Sequence, residues 1–307
     1  MARAIDGRTQ LTQNRDMTAA SALDECVARL QRTAGVLVQV AETRGSTPRE
    51  TDAWMAVWTD GLTVTIGGGN LEYQALAAAR AMLANSAGAP AHGEVRRYAL
   101  GPSLGQCCGG VVFLRFERIG ATDRPALLQR LGAHLVPVAL FGGGHVGHAI
   151  VRILSTLPYR IHWIDSRDEV FSPENPIQVE VEFSDPVHAV VPDLAPGSHV
   201  LIMSFSHWED LGIVRACLER LRTCDDLPFI GLIGSKTKWA VFRHRLAARG
   251  FSAAEMARVT TPIGIPGLRS KEPEIIAVSV AAQLLQLTTR AQERTTKEKI
   301  QADSVET

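Results

Sequence analysis

The segment VPVALFGGGHVGHAIVRILSTL, residues 136–157, decides the fold of the second half of the chain. It opens with an apolar run at 136–141 that predicts a buried strand, and it closes with a helical pattern at 148–157. Between them lies a G-x-G-x-x-G turn, which in dinucleotide-binding folds joins a strand end to a helix N-terminus. A strand, a glycine turn and a helix in this order predict the first unit of a Rossmann-like domain.

Strands and helices continue to alternate after this unit. Further strands are predicted at 160–167, 179–183, 199–205 and 229–234, and further helices at 208–222, 236–250 and 273–291. Such alternation is typical of a parallel sheet with helices on both faces. We therefore assign the chain to the α/β class, with a C-terminal Rossmann-like doubly wound parallel sheet over residues 135–291.

The first half of the chain has a different pattern. Helices are predicted at 18–34 and 71–85, and strands at 36–43, 53–58, 62–66, 94–99 and 111–118. This set predicts a smaller N-terminal α+β domain over 18–118, followed by a linker at 119–134 that carries a short helix. Residues 1–17 are expected to be a mobile extension, and the charged tail 292–307 is expected to fray.

The composition excludes several classes of protein. The 307 residues include 32 basic and 32 acidic side chains, so the formal net charge is zero, which argues against nucleic-acid and membrane-surface binding. No apolar run reaches the ~18 residues that a spanning helix needs, and residues 1–17 lack the apolar core of a secretory signal. Five cysteines without C-x-x-C spacing argue against a disulfide framework. We expect a cytoplasmic protein with neither nucleic-acid nor membrane partners.

The glycine turn is the first candidate binding site. Gly142, Gly144 and Gly147 let the backbone approach a phosphate, and His145 opens a helix whose N-terminus favours an anion. Asp165 ends the next strand, twenty-three residues after Gly142, where an acidic side chain would meet a ribose hydroxyl. These residues predict a site for NAD(P) or another nucleotide. The alternatives are that the glycines serve only helix–sheet packing and that Asp165 pairs with a neighbouring arginine or caps a turn.

Two more turns follow strands of the same sheet, at the edge where ligands bind in open α/β folds. His207 and Asp210 could hydrogen-bond a ligand or relay a proton, and the alternative is a helix cap formed by Ser206 or His207. Ser235 and Lys236 begin the following helix and suggest an anion site, with a solvated loop as the alternative.

The N-terminal half contains a second glycine turn. Gly67, Gly68 and Gly69 precede a helix, with Asn70 expected as its N-cap, and could form another anion site. The alternative is a simple glycine hinge.

An adjacent pair of cysteines lies in a glycine-bounded loop. Gln106 precedes Cys107 and Cys108. Adjacent cysteines rarely form a disulfide with each other, because the ring that the disulfide closes strains the peptide bond between them. No second cysteine or histidine pair has the spacing for zinc, so a soft, transient or sulfur-bearing ligand is the favoured partner. The alternative is that these are small packing residues. Packing is also the role expected for Cys26, Cys217 and Cys224.

The order of seven motifs resembles the XdhC/CoxI family of xanthine dehydrogenase accessory proteins. They are ETRGSTPRE (42–50), GGGNLEYQAL (67–76), LGPSLGQCCGG (100–110), FGGGHVGHA (141–149), WIDSR (163–167), GLIGSKTK (231–238) and PIGIPG (262–267). The resemblance covers about residues 18–290. No single motif is specific, but their common order is.

The resemblance implies a molybdenum cofactor chaperone rather than an enzyme. Such proteins hold the molybdopterin cofactor while a cysteine desulfurase replaces an oxo ligand with sulfido, and they then deliver it to apo xanthine dehydrogenase, an enzyme of purine catabolism. On this resemblance Cys107 is the cofactor-linked cysteine and the candidate molybdenum contact, with Cys108 beside it. The pterin phosphate or a nucleotide would rest on a glycine-rich helix start in either domain. A homo-oligomer is also expected.

Two functions of other classes remain as alternatives. The turn at 142–147 with Asp165 favours an NAD(P)-dependent oxidoreductase, and the pair of Cys107 and Cys108 would suit a redox or scaffold protein with a thiol switch.

Overall fold

The structure is a computed structural model of the chain. It describes residues 19–47, 51–85, 93–100, 109–133, 135–171, 175–268 and 270–303. The chain divides into two compact units between residues 133 and 134. The predicted mobile extension at 1–17 lies outside the described residues.

The N-terminal unit is built on a five-stranded antiparallel sheet in the order β3-β2-β1-β5-β4. Its strands are β1 (Gly35–Arg44), β2 (Trp54–Trp58), β3 (Gly61–Thr63), β4 (Glu94–Ala99) and β5 (Val111–Ile119). Helix α2 (Gly69–Ala84) packs on the face that carries Val36 and Val38. Leu37 points to the opposite face because side chains alternate along a strand. Helices α1 (Ala19–Leu30) and α3 (Arg124–Gly132) contact each other in the same unit.

The C-terminal unit is built on a six-stranded parallel sheet in the order β11-β10-β9-β6-β7-β8. Its strands are β6 (Val136–Phe141), β7 (Tyr159–Asp165), β8 (Val179–Phe183), β9 (His199–Ile202), β10 (Phe229–Leu232) and β11 (Val259–Thr260). Its helices are α4 (His145–Leu154), α5 (His207–Thr223), α6 (Lys236–Ala247), α7 (Ala253–Met256) and α8 (Pro273–Asp303). This is the strand order of a Rossmann fold, with the winding reversed between β6 and β9. The predicted fold class is confirmed.

Both faces of the parallel sheet are covered by helices. In β6, Val138 and Leu140 pack into a core that includes α4 and α8, whereas Ala139 and Phe141 pack into a second core that includes α5 and α6. A strand buried on both faces is apolar at successive positions, which explains the uninterrupted apolar run at 136–141. The end of β6 is thereby held rigidly in the middle of the sheet.

The structure differs from the predicted elements at several places, and three of these differences have a clear physical cause. The strand predicted at 62–66 ends at Thr63, because Val64 has a φ of 57°, which a β-branched residue in a strand does not adopt. Strand β11 was missed because it has only two residues, of which Val259 pairs with Ile230. Helix α8 continues to Asp303 through the predicted frayed tail, since residues 292–303 contain neither glycine nor proline. Among the described helices, none is long and apolar enough to cross a membrane.

Candidate functional site

The glycines after β6 have different structural roles. A Cβ on Gly142, whose φ is 129°, would lie 2.1 Å from the Met203 carbonyl oxygen. A Cβ on Gly147 would lie 2.1 Å from the carbonyl oxygen of Gly142, so α4 can approach β6 only with glycine at this position. Gly144 is exposed, and its Cβ would meet no atom within 4 Å. Packing therefore explains Gly142 and Gly147, whereas Gly144 and the exposed His145 leave the start of α4 open to a phosphate.

Asp165 is fully engaged by the protein itself. Its Oδ1 accepts the backbone N–H of Arg167 at 3.0 Å and the Arg167 Nε at 2.9 Å, and its Oδ2 accepts the Arg167 Nη2 at 3.0 Å and the Gly143 N–H at 2.5 Å. The residue is only 2% exposed, and a carboxylate has about four acceptor positions. The predicted ribose contact is therefore not available in this arrangement, and the alternative of pairing with the neighbouring arginine is what the structure contains. The bond to Asp165 also raises the pKa of Arg167.

The Arg167 guanidinium also crosses the glycine turn. Its carbon lies 4.5 Å from the centroid of the Phe205 ring. Arg167 follows β7 and Phe205 follows β9, and β6 lies between these strands, so their contact passes over the end of β6. Val170 closes the turn from another side, since a Cβ on Gly143 would lie 2.2 Å from its Cγ2. Gly143 is therefore covered by Asp165 and Val170, whereas Gly144 and His145 remain exposed.

The turn after β9 is held by a helix cap and a buried ion pair. The Ser206 hydroxyl accepts a hydrogen bond from the N–H of Glu209 at 3.2 Å. The predicted alternative of a helix cap is therefore correct, and Ser206 is the N-cap of α5. His207 is exposed at the start of α5, with its ring centroid 6.4 Å from that of Phe242. Asp210, 2% exposed, is ion-paired with Lys238 and is not free to relay a proton.

The ion pair between Asp210 and Lys238 also joins the turn after β9 to the turn after β10. Asp210 also accepts the N–H of Ser204 at 2.9 Å and its hydroxyl at 2.7 Å, and Lys238 donates to the Ile233 carbonyl at 2.8 Å. Sequence reasoning missed this role of Lys238. A signal was present, because a cation in the first turn of a helix opposes the helix dipole and needs a carboxylate nearby.

The turn after β10 leaves its predicted residues in solvent. Ser235 caps α6 by accepting the Lys238 N–H at 3.1 Å, and both Ser235 and Lys236 are exposed. A cavity of about 600 Å³ adjoins this turn at Ile233 and Gly234. Its wall is the PIGIPG motif, in which the Gly264 N–H donates to Gln283 at 2.7 Å. The described lining is mostly isoleucine and proline, which suits an uncharged part of a ligand.

The glycine turn of the N-terminal unit already holds a carboxylate. Glu72 accepts the N–H groups of Ile66 at 3.2 Å and Gly68 at 3.1 Å, together with the hydroxyl of Thr65. Helix α2 begins at Gly69 with Gly68 as its N-cap, so the prediction that Asn70 is the N-cap was wrong. A negative side chain at a helix N-terminus is favourable, and an external anion would have to compete with Glu72 for these groups.

The positive φ values of this turn explain its three glycines. They are 120° at Gly67, 73° at Gly68 and 70° at Gly69, a region that favours glycine. The Gly67 N–H donates to the Thr65 hydroxyl at 3.1 Å. The turn is therefore a compact, hydrogen-bonded structure rather than a simple hinge.

Gln106, Cys107 and Cys108 lie outside the described residues. The two ends of their loop are joined by a hydrogen bond of 2.7 Å from the Leu100 N–H to the Gly110 carbonyl. A Cβ on Gly110 would lie 2.4 Å from the carbonyl oxygen of Ser46. Gly110, at the end of the cysteine motif, and Ser46, in the ETRGSTPRE motif, therefore lie in contact where β1 ends and β5 begins.

Two of the three remaining cysteines show no sign of reactivity. Cys26 and Cys217 are buried, and burial raises the pKa of each thiol to about 12, which confirms packing. Cys224 is exposed at the C-terminal cap of α5, so the expectation of packing was wrong there. Within the described parts of the chain, no group of His, Cys, Asp and Glu side chains could hold a metal ion.

Comparison with known proteins decides the family. Residues 28–98 match the model of the XdhC and CoxI family, and residues 138–284 match the model of the XdhC Rossmann domain. The chain belongs to the XdhC family. The two matches fall one in each unit, so the resemblance drawn from the sequence motifs is confirmed.

Relatives of this XdhC-family chain include a protein of uncharacterized function. The Escherichia coli K12 protein YqeB is 29% identical over 261 residues, covering 83% of the present chain and 44% of YqeB. The chain thus spans less than half the length of this curated relative. A solved structure described as a xanthine dehydrogenase from Bacillus halodurans has a TM-score of 0.63 at 19% identity, covering 89% of the present chain and 96% of the other. That likeness shows the fold.

A second solved structure is a Rossmann-fold NAD(P)-binding family protein from Shigella flexneri. It has a TM-score of 0.33 at 16% identity, covering 48% of the present chain and 86% of the other. A likeness this low supports no conclusion about the ligand of the XdhC-family chain.

Proposed function

We propose that this protein acts in the maturation of xanthine dehydrogenase as a carrier of the molybdenum cofactor, and that it is an accessory protein rather than an enzyme. It binds the cofactor while a cysteine desulfurase exchanges an oxo ligand for sulfido, and it then transfers the cofactor to the apo enzyme. The observation that carries the proposal is the match of both units to the XdhC family.

In this proposal the cysteine loop of the N-terminal unit contacts the cargo. Cys107 supplies a thiolate to the molybdenum, with Cys108 and Gln106 beside it, and flanking glycines leave room for the pterin. The loop end at Gly110 lies against the backbone carbonyl of Arg44, and the exposed guanidinium of Arg44 is paired with Glu42 at 2.6 Å. Nothing in this arrangement requires the protein to perform a redox step itself.

The glycine turn of the C-terminal unit is the proposed place for a phosphate. Gly144 gives the approach, and the start of α4 at His145 supplies N–H groups and a partial positive charge. A pterin phosphate needs no ribose acceptor, so the engagement of Asp165 by Arg167 does not oppose it. The same engagement argues against the NAD(P)-dependent oxidoreductase.

The test is cofactor loading followed by transfer. Purified protein is incubated with molybdopterin cofactor, and the complex is added to apo xanthine dehydrogenase with a cysteine desulfurase. We expect the wild type and Cys224→Ala to bind cofactor and to activate the enzyme, whereas Cys107→Ala loses both. Far-ultraviolet circular dichroism shows whether each variant is folded. Equal cofactor binding by folded Cys107→Ala would defeat the assignment of this residue.

The alternative is tested separately. NADH and NADPH are titrated by fluorescence, and turnover is sought with candidate carbonyl substrates. We expect no micromolar binding. Micromolar binding together with turnover would make the protein an oxidoreductase and would overturn the proposal.

A further inference from the structure

A second concave surface of the C-terminal unit lies on the outer side of α5. It is a cavity of about 270 Å³ between the start of α5, the end of α6 and the turn at Asp185. Trp208, Arg215 and Arg249 line it, together with His188 and the two acidic residues Asp185 and Glu209. We call this surface the Trp208 pocket. The Rossmann phosphate site does not include any of these side chains.

Among the described residues, the arginines of the Trp208 pocket make only one ion pair, the long one between Arg215 and Glu219. Arg215 lies no nearer to a carboxylate oxygen than the 3.8 Å that separates it from Glu219, and its Nε is buried without a hydrogen-bond partner. Arg249 donates to the carbonyl oxygen of Arg245 at 3.0 Å. Glu209 is engaged by the Ser166 hydroxyl at 2.7 Å. The pocket thus presents guanidinium donors that an external carboxylate would satisfy, and such charge-assisted pairs are strong.

The indole of Trp208 indicates the kind of partner. This side chain is 70% exposed beside the two arginines, and tryptophan and arginine are the residues most enriched in the energetic centres of protein interfaces. A cavity of about 270 Å³ lies just below the ~300–1,000 Å³ of small-molecule sites. A small ligand that filled it would leave much of the indole in water. A protein segment would cover both the cavity and the ring.

We propose that the Trp208 pocket is the docking surface for the client protein, which inserts an acidic side chain between Arg215 and Arg249 and covers Trp208 with a neighbouring apolar side chain. This inference rests on the proposed carrier function and assigns a surface to its delivery step. Cofactor loading and client docking are then carried by different residues, so that variants can separate them.

The experiment uses the full-length protein, loaded with cofactor, and apo xanthine dehydrogenase. The variants are Trp208→Ala and the double variant Arg215→Glu with Arg249→Glu. Phe183→Ala and Arg290→Ala are matched controls, because both residues are exposed elsewhere in the same unit. Three quantities are measured for each protein: bound cofactor, affinity for the immobilised apo enzyme, and the enzyme activity recovered at increasing client concentration.

We expect all variants to load cofactor like the wild type. Trp208→Ala and the double variant should bind the client at least ~10-fold more weakly, as is usual for a central interface residue, and should need correspondingly more client for activation. Both controls should behave as the wild type. Circular dichroism confirms folding.

Three outcomes overturn the inference. The first is client binding by the pocket variants that equals that of the wild type, which leaves the carrier function standing. The second is a wild type that has no measurable affinity for the apo enzyme. The third is Arg215-dependent binding of inorganic phosphate or adenosine monophosphate with unchanged client affinity in Trp208→Ala, which would make the pocket a small-molecule site. Failure of the wild type to bind cofactor contradicts the proposed function instead, and the affinity for the apo enzyme still tests the surface.

Discussion

Replacement of Arg167 by alanine tests whether Asp165 is a structural carboxylate. The side chain of Asp165 is 1% exposed and that of Arg167 is 30% exposed, so the carboxylate is buried while its partner reaches solvent. The variant removes two guanidinium hydrogen bonds, of 2.9 Å and 3.0 Å, and leaves Asp165 with two backbone N–H donors. Loss of one partner of a fully buried pair costs about 3–5 kcal/mol.

The expected loss for Arg167→Ala is smaller than that range. The two remaining backbone donors and the partial exposure of Arg167 reduce it to about 2 kcal/mol, close to the ~1.5–3 kcal/mol of a single charge-assisted hydrogen bond. The assay is urea unfolding followed by tryptophan fluorescence at pH 7. Arg290→Ala is the control, since that residue is exposed, and it should change stability by less than about 0.5 kcal/mol. An Arg167→Ala protein as stable as this control would refute the reasoning.

Three further predictions concern burial and close packing. Lys238→Met leaves Asp210 buried without its cation, so urea unfolding should show a loss of about 3–5 kcal/mol, and a loss below ~1 kcal/mol would contradict the buried ion pair. Gly147→Ala should lower stability by about 3 kcal/mol through overpacking, whereas Gly144→Ala should stay within about 0.5 kcal/mol of the wild type; similar melting temperatures for the two would contradict their different roles. Burial lowers the pKa of His199 to about 4, so its stabilising effect is complete above the unfolded pKa of ~6.5 and is lost as the pH falls toward 4. Between pH 7 and 5 the wild type should therefore lose about 2 kcal/mol more than His199→Gln, and parallel pH profiles would show that the histidine is not the cause.

The fold could be predicted because its signals are local. The apolar run before Gly142 and the helical pattern after Gly147 are each contained in a few neighbouring residues, and alternation of such units fixes the parallel sheet. The short strand β11 carries no such signal, because two residues show no period. It exists only because the edge of β10 is available for pairing.

The candidate sites were predicted less well because their chemistry depends on partners that are distant in the chain or differently oriented. Asp165 ends its strand as a ribose-binding acid would, but Arg167 and the Gly143 N–H take its oxygens. Asp210 has a partner 28 residues away, Lys238, that only the folded sheet brings near. The role of Glu72 was also missed, although an acid in the first turn after a glycine run is a local signal that the helix start is already occupied by a side chain of the protein.

The amount of molybdenum and pterin bound to the protein when it is purified from cells tests the carrier function most directly. The protein is purified from molybdenum-replete cells, and its molybdenum and released pterin are quantified, with Cys107→Ala purified in parallel. The carrier account predicts molybdenum and pterin in equal amounts on the wild type and their loss from the folded variant. A wild-type protein that holds neither, and takes up neither when mixed with the purified cofactor, would contradict it.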